Sequence, residues 1–97
     1  MKFLLTQKAQ ADLRAIALFT EKAWGRGQRN LYIKQLDNAF HLLADNSLLG
    51  KSCDYIKIGY RKLPQGSHII FYSAGTNAVV EIVRVLHRGM DVEPRLI

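Results

Sequence analysis

Glu21-Lys22-Ala23-Trp24-Gly25-Arg26-Gly27-Gln28 is the stretch on which the fold turns, because it joins two runs of helical periodicity with almost no chain between them. Upstream, Ala9, Leu13, Ile16, Ala17, Thr20 and Trp24 recur at spacings of three and four, on one face of an α-helix, while Lys8, Asp12, Arg14 and Glu21 fall mainly elsewhere. This predicts a helix over about residues 7–24, with the Thr6 hydroxyl accepting from an orphan amide of the first turn. Gly25 then stops the helix where a residue free of a Cβ penalty is needed. Downstream, Tyr32, Leu36, Ala39, Phe40 and Leu43, with Ile33 beside them, predict a second helix over about 26–45. So short a connector forces the pair into an antiparallel hairpin. Both stripes read as core, Trp24 included.

Outward from the hairpin, Phe3-Leu4-Leu5 reads as a short first strand, and residues 46–54, with breakers at Asn46 and Gly50, read as a loop. The period then changes to two: Ile56, Ile58 and Tyr60 alternate with Lys57, Gly59 and Arg61, which predicts a strand. Leu63-Pro64-Gln65-Gly66 has the Pro and Gly placement of a type I turn. A partner strand, His68 to Ser73, follows. Ala74-Gly75-Thr76-Asn77 turns the chain again into a last strand, Ala78 to His87, apolar on both faces as a central strand is. Arg84 is its exception. Strict alternation puts Arg84 on one face with Val80, Ile82 and Leu86, which places it on the sheet face away from the helices. The expected class is α+β: an N-terminal strand and an antiparallel helical hairpin on one face of an antiparallel sheet.

The 97 residues fit one domain over the whole chain, 1–97, and 48% hydrophobic against 23% charged residues excludes disordered and fibrous classes. The lone Cys53 excludes an internal disulfide and fits a reducing cytoplasm. The apolar start stops at Thr6, too short for a signal peptide, and no run reaches the ~20 apolar residues of a membrane span. Fourteen Lys and Arg against eight Asp and Glu give a net charge of +6, which points to an anionic partner. Between residues 57 and 88, Lys57, Arg61, Lys62, Arg84 and Arg88 face one acid, Glu81. There is no phosphate loop, paired-Cys site, HExxH or nucleophile elbow, so no cofactor and no metal is expected.

Ala11-Asp12-Leu13-Arg14-Ala15-Ile16 with Trp24-Gly25, the stretch Gly59 to His68 with Ile70-Phe71-Tyr72, and Ile82-Val83-Arg84-Val85-Leu86-His87 with Met90-Asp91 together resemble the ParE toxin family, within the ParE and RelE superfamily. The resemblance implies the toxin of a type II toxin-antitoxin module. Such a toxin is not an enzyme: it inhibits DNA gyrase, and a ParD-like antitoxin neutralises it by folding its tail over the toxin. The alternative within the superfamily is a RelE-like ribosome-dependent mRNA endonuclease. That reading nominates His68 or His87 with Arg61 and Arg84 for base and charge stabilisation. The tail from Arg88 to Pro94 lacks the tyrosine of RelE-type members, and its acids repel RNA phosphate.

For target binding, the expected residues are Arg84, His87 and Arg88 at the end of the last strand, with Arg61 and Lys62 on the central hairpin, since arginine's planar fork suits carboxylate and phosphate. The competing role for Arg84 is an ion pair with Glu81 or a terminal carboxylate. For antitoxin binding the expected residues are Phe19, Trp24 and Tyr32, where the helices meet their connector. No small-molecule substrate, membrane or sequence-specific nucleic-acid contact is expected. If Arg84 and Arg88 are exposed, truncating either to alanine costs under about 0.5 kcal/mol.

Overall fold

The computed structural model describes residues 2–74 and 79–96. Helices α1 (Gln7–Trp24) and α2 (Arg26–Asp45) occupy the two predicted stripes and form the hairpin. Thr6 caps α1 by accepting from the Ala9 amide at 3.0 Å, and its hydroxyl donates to the Val83 carbonyl at 2.7 Å, which ties the helix start to the sheet. Gly25 ends one helix and begins the next. Its amide donates to Glu21, its carbonyl accepts from Arg29, and its φ of 92° requires glycine.

Five strands, β1 (Phe3–Leu5), β2 (Lys51–Ser52), β3 (Tyr60–Gln65), β4 (His68–Ala74) and β5 (Val80–His87), form one sheet in the order β1-β5-β4-β3-β2. The sheet is mixed rather than antiparallel throughout, because β1 pairs with β5 in parallel. The chain re-enters the sheet at the far edge and crosses it by antiparallel pairings. It reaches β1 running the same way.

Three local expectations are corrected. Residues 56–59 are not strand: the Ile56 and Lys57 amides donate to the Cys53 carbonyl, and Asp54 accepts from the Gly59 amide at 2.8 Å, with Gly59 at φ 88°. Local side-chain bonding and a glycine outweigh the alternation there. The β3–β4 turn is at Gly66-Ser67, two residues beyond the expected one, with Gly66 at φ 59°. Pro64 lies inside β3 opposite Ile69, one step from the closing pair Gln65–His68, where no ladder amide is needed toward β4. The third correction is to β5. Its pairing with β4 shifts between Phe71 and Tyr72, so that Phe71 faces Arg84 but Tyr72 faces Ile82, and Val83 is the extra residue of a bulge. Gly75, Thr76 and Asn77 of the expected turn lie outside the described residues.

The bulge inverts the alternation halfway along β5. Val80, Ile82 and Val85 all enter the main core with Ile16, Leu36 and Tyr72, while Val83 and Leu86 face the opposite side. That opposite side is not open. Leu86 and Phe71 pack there with Cys53, Ile56 and Leu96, the last brought in by a single helical turn, α3 (Glu93–Leu96), that the sequence reading left unassigned. No helix among the described residues is long and apolar enough to cross a membrane.

Leu36 is fully buried at the centre of the main core, so Leu36→Ala should cost about 2 to 5 kcal/mol in urea or thermal unfolding. Leu42→Ala, on the same helix but 57% exposed, should stay within about 0.5 kcal/mol of the parent. Equal losses from both would contradict this assignment of the buried face.

A candidate partner groove beside the helical hairpin

Beyond Ile16 no residue of α1 is buried, so its last two turns overhang the sheet. Trp24 and Phe19, 74% and 64% exposed, therefore stand in solvent, and Trp24 is not the core residue its stripe suggested. Under this overhang lies an open groove of about 610 Å³. Ile16 and Val85 form its floor, Phe19 and Trp24 one lip, Met90 another, and Tyr32, His68 and His87 its polar end. The three residues expected to meet the antitoxin thus share one cavity with His87.

The polar end is held together tightly. The Tyr32 hydroxyl accepts from the Ser67 amide at 3.1 Å, donates to the Gln65 carbonyl at 3.0 Å and lies 2.6 Å from His68 Nδ1. A Cβ on Gly66 would meet the Tyr32 ring at 2.6 Å, so the turn's glycine also permits this close approach. The pairing of β4 with β5 sets His68 opposite His87, rings edge to face at 5.6 Å. Desolvation lowers the His68 pKa, and the His87 charge lowers it further against the opposing pull of Asp12. Burial raises the Tyr32 pKa, partly countered by the Ser67 amide. His87 Nδ1 accepts from the Gly89 amide at 3.2 Å, and Arg88 donates to the Gly66 carbonyl at 2.8 Å.

Arg84 stands opposite Phe71, on the sheet face away from the helices as expected, but it is not open there. Its guanidinium forms a two-pronged pair with Asp12 of α1, Nε and Nη2 each 2.8 Å from a carboxylate oxygen, and Nη1 lies 3.4 Å from the Arg95 carbonyl. Only 17% of its side chain and 14% of that of Asp12 are exposed. The bond to Asp12 raises the Arg84 pKa. The ion-pair role is therefore real, but the acid is Asp12, not Glu81 or a terminal carboxylate. Asp12 also accepts from the Val85 amide at 3.0 Å.

Arg61 and Lys62 are elsewhere. Opposite Tyr72 and Phe71 respectively, they point to the two different faces of β3. Arg61 bonds the Gly50 carbonyl through Nε and Nη2 and reaches that of Leu48, closing the loop after α2. Lys62 bonds the Tyr55 hydroxyl at 2.9 Å. The five residues expected at one target surface thus separate: His87 lines the groove, Arg88 bonds the β3–β4 turn, Arg84 is in the Asp12 pair, and Arg61 and Lys62 lie on opposite faces of β3. Sequence reading missed Asp12 and Met90. It places Asp12 within a family-like segment but gives it no role, since its partner is 72 residues away. No group of three or more potential metal ligands is found among the described residues.

Comparison with known proteins agrees with this geometry. Residues 3–92 match the family described as ParE toxin of type II toxin-antitoxin system, parDE. The chain is 41% identical over 95 residues to Toxin ParE1 of Mycobacterium tuberculosis, covering 98% of this chain and 97% of that one. It is 34% identical over 94 residues to Toxin ParE1 of Caulobacter vibrioides, covering 97% and 96%. Among solved structures, the chromosomal ParDE TA system from P. aeruginosa superposes with a TM-score of 0.75 at 19% identity, over 90% of this chain and 95% of that one, a likeness of fold.

Two expectations follow from the site. Arg84→Ala strands a mostly buried Asp12 carboxylate with only the Val85 amide, so it should cost about 1 to 3 kcal/mol rather than the small loss of an exposed arginine. Denaturant unfolding measures this, and a loss below about 0.5 kcal/mol would show the pair to be dispensable. For His68, the unfolded chain binds the proton first because the folded-state pKa lies below the usual 6.5. Stability from the neutral ring is therefore complete above that pH and is lost as pH falls from it toward the folded-state value. The melting temperature should drop between about pH 7.5 and 5, less steeply in His68→Gln; identical slopes would remove His68 as the cause.

Proposed function

This chain belongs to the ParE toxin family of type II toxin-antitoxin systems, and we propose that it acts in the cytoplasm as a non-enzymatic inhibitor of DNA gyrase, silenced by a ParD-like antitoxin. The observation that carries the antitoxin half is the groove: about 610 Å³, apolar in floor and lips, with Phe19 and Trp24 largely exposed. A folded protein that leaves an aromatic pair beside a cavity of this size has surface suited to a partner. An amphipathic segment laid under the α1 overhang covers Trp24, Phe19 and Met90 with its apolar face and meets Tyr32, His87 and Arg88 with its polar end.

The gyrase half rests on family membership, and the side-chain arrangement supports it against the nuclease. Cleavage of RNA needs a base, an acid and cations converging on one phosphate. Here Arg84 is bound to Asp12, Arg61 to the carbonyls of the α2–β2 loop, and His87 Nδ1 to the Gly89 amide. His68 and Arg61 lie toward opposite ends of the β3–β4 pairing. Among the described residues Arg61 and Arg84 are engaged away from both histidines, which supports the non-enzymatic reading.

The purified protein should inhibit gyrase supercoiling and accumulate linear, cleavage-trapped DNA, while mRNA on programmed ribosomes stays intact. Trp24→Ala should keep the parent's melting temperature yet weaken antitoxin binding by tenfold or more, about 1.4 kcal/mol or above. Codon-positioned mRNA cleavage with unaffected gyrase would replace this reading by the nuclease.

A further inference from the structure

We propose that the turn from Asp54 to Gly59, with Lys51 and Lys62 beside it, contacts duplex DNA, the lysines on phosphates and Ile58 as a wedge at the minor groove. Ile58 is 88% exposed, the most exposed large apolar side chain among the described residues. It stands at the tip of an ordered turn: Asp54 accepts from the Gly59 amide, and the Ile56, Lys57 and Tyr60 amides are all bonded within the turn. An apolar side chain presented on an ordered tip gains free energy when a partner takes it out of water.

Around Ile58 three lysines outnumber the one acid of the turn, Asp54, whose carboxylate is bonded to the Gly59 amide. Lys57 precedes Ile58, its ammonium 5.2 Å from the Tyr60 ring centre. Lys62 is held by the Tyr55 hydroxyl and lies 5.6 Å from that ring's centre. Lys51 and Lys62 are direct cross-strand partners of β2 and β3. Like charges opposite one another destabilise a ladder, and an anion laid across them removes the penalty. Lys62 shares the sheet face of Phe71, away from the helices, and the cross-strand register puts Lys51 there with it.

The chemistry favours nucleic acid over an acidic protein. All three cations are lysines, strongly hydrated point charges that suit phosphate without directional pairing and are depleted from protein interfaces. An apolar wedge flanked by cations is the means by which proteins part base steps from the minor groove of DNA. Double-stranded RNA, with its wide and shallow minor groove, does not offer that step to a single isoleucine. The surface lies across the sheet from the antitoxin groove, so the proposal does not rest on that assignment.

The test is fluorescence anisotropy of a labelled 20-base-pair duplex titrated with the full chain between 50 and 200 mM salt, a probe length and range chosen at about the scale on which counterion release is read. Lys51→Gln/Lys57→Gln/Lys62→Gln should flatten the log-log salt slope by about 2 to 3, since each phosphate contact contributes roughly 0.9. Ile58→Ser should weaken binding by about fivefold or more with the slope unchanged, because the wedge carries no charge. Lys22→Gln/Arg26→Gln/Lys34→Gln, an equal loss of charge on the hairpin, should leave the slope nearly intact, and Trp24→Ala should bind as the parent does. Circular dichroism confirms that each variant is folded. Equal flattening by both charge triples, unchanged binding by Ile58→Ser, or equal affinity for double-stranded RNA overturns the proposal. So does a loop variant that keeps DNA binding but loses association with gyrase.

Discussion

Three residues of β1 cannot cover eight of β5, and most of the architecture around the groove answers that mismatch. A strand left unpaired along one side exposes amides and carbonyls that need partners. The chain solves this with side chains of the helix that follows β1. The Thr6 amide and hydroxyl take the Ile82 and Val83 carbonyls, and two turns later Asp12 accepts from Val85. The Val83 bulge lies at the same place, where pairing with β1 has ended and Arg84 has to reach back toward α1. One acid therefore substitutes for a strand, neutralises an arginine and holds α1 against the sheet.

The energetic standing of that acid is intermediate. A wholly exposed pair contributes little, and a wholly buried one is often no better than an apolar substitute. Asp12 and Arg84 retain 14% and 17% exposure, and their geometry is two-pronged with a further backbone donor. What they supply is position. With α1 anchored at Thr6 and Asp12, its final turns are free to overhang, and the overhang is the roof of the groove.

The two faces of the sheet have different surfaces. Beside the helical hairpin, the main core gives way to an apolar groove ending in the Tyr32, His68 and His87 cluster. On the opposite face a smaller core is closed by the Asp54 turn and the C-terminal tail, and its rim carries Lys51, Lys57 and Lys62. Under the proposed function, such separation would leave one face accessible while the other is occupied.

The helical hairpin was legible in the sequence because its signal is local: spacing of three and four, a threonine cap and a glycine at the break act within a few residues of one another. So were the strands expected over His68 to Ser73 and Ala78 to His87, rich in branched and aromatic residues and found as His68–Ala74 and Val80–His87 among the described residues, and the family resemblance. The Asp54 turn was misread because Ile56, Ile58 and Tyr60 alternate by chance of composition, while the deciding bond joins Asp54 to Gly59. The site was legible only in part. Phe19, Trp24 and Tyr32 do line one cavity with His87, yet the joint role of Arg84, Arg61 and Lys62 dissolved once their partners were known. Those partners, Asp12, the Gly50 carbonyl and Tyr55, lie 72, 11 and 7 residues away, the first two set by tertiary contact. Periodicity determined what is helix and strand; which cations stay free depended on a bulge and a short first strand, because pairing across the fold, rather than residue type, decides where a charge is neutralised.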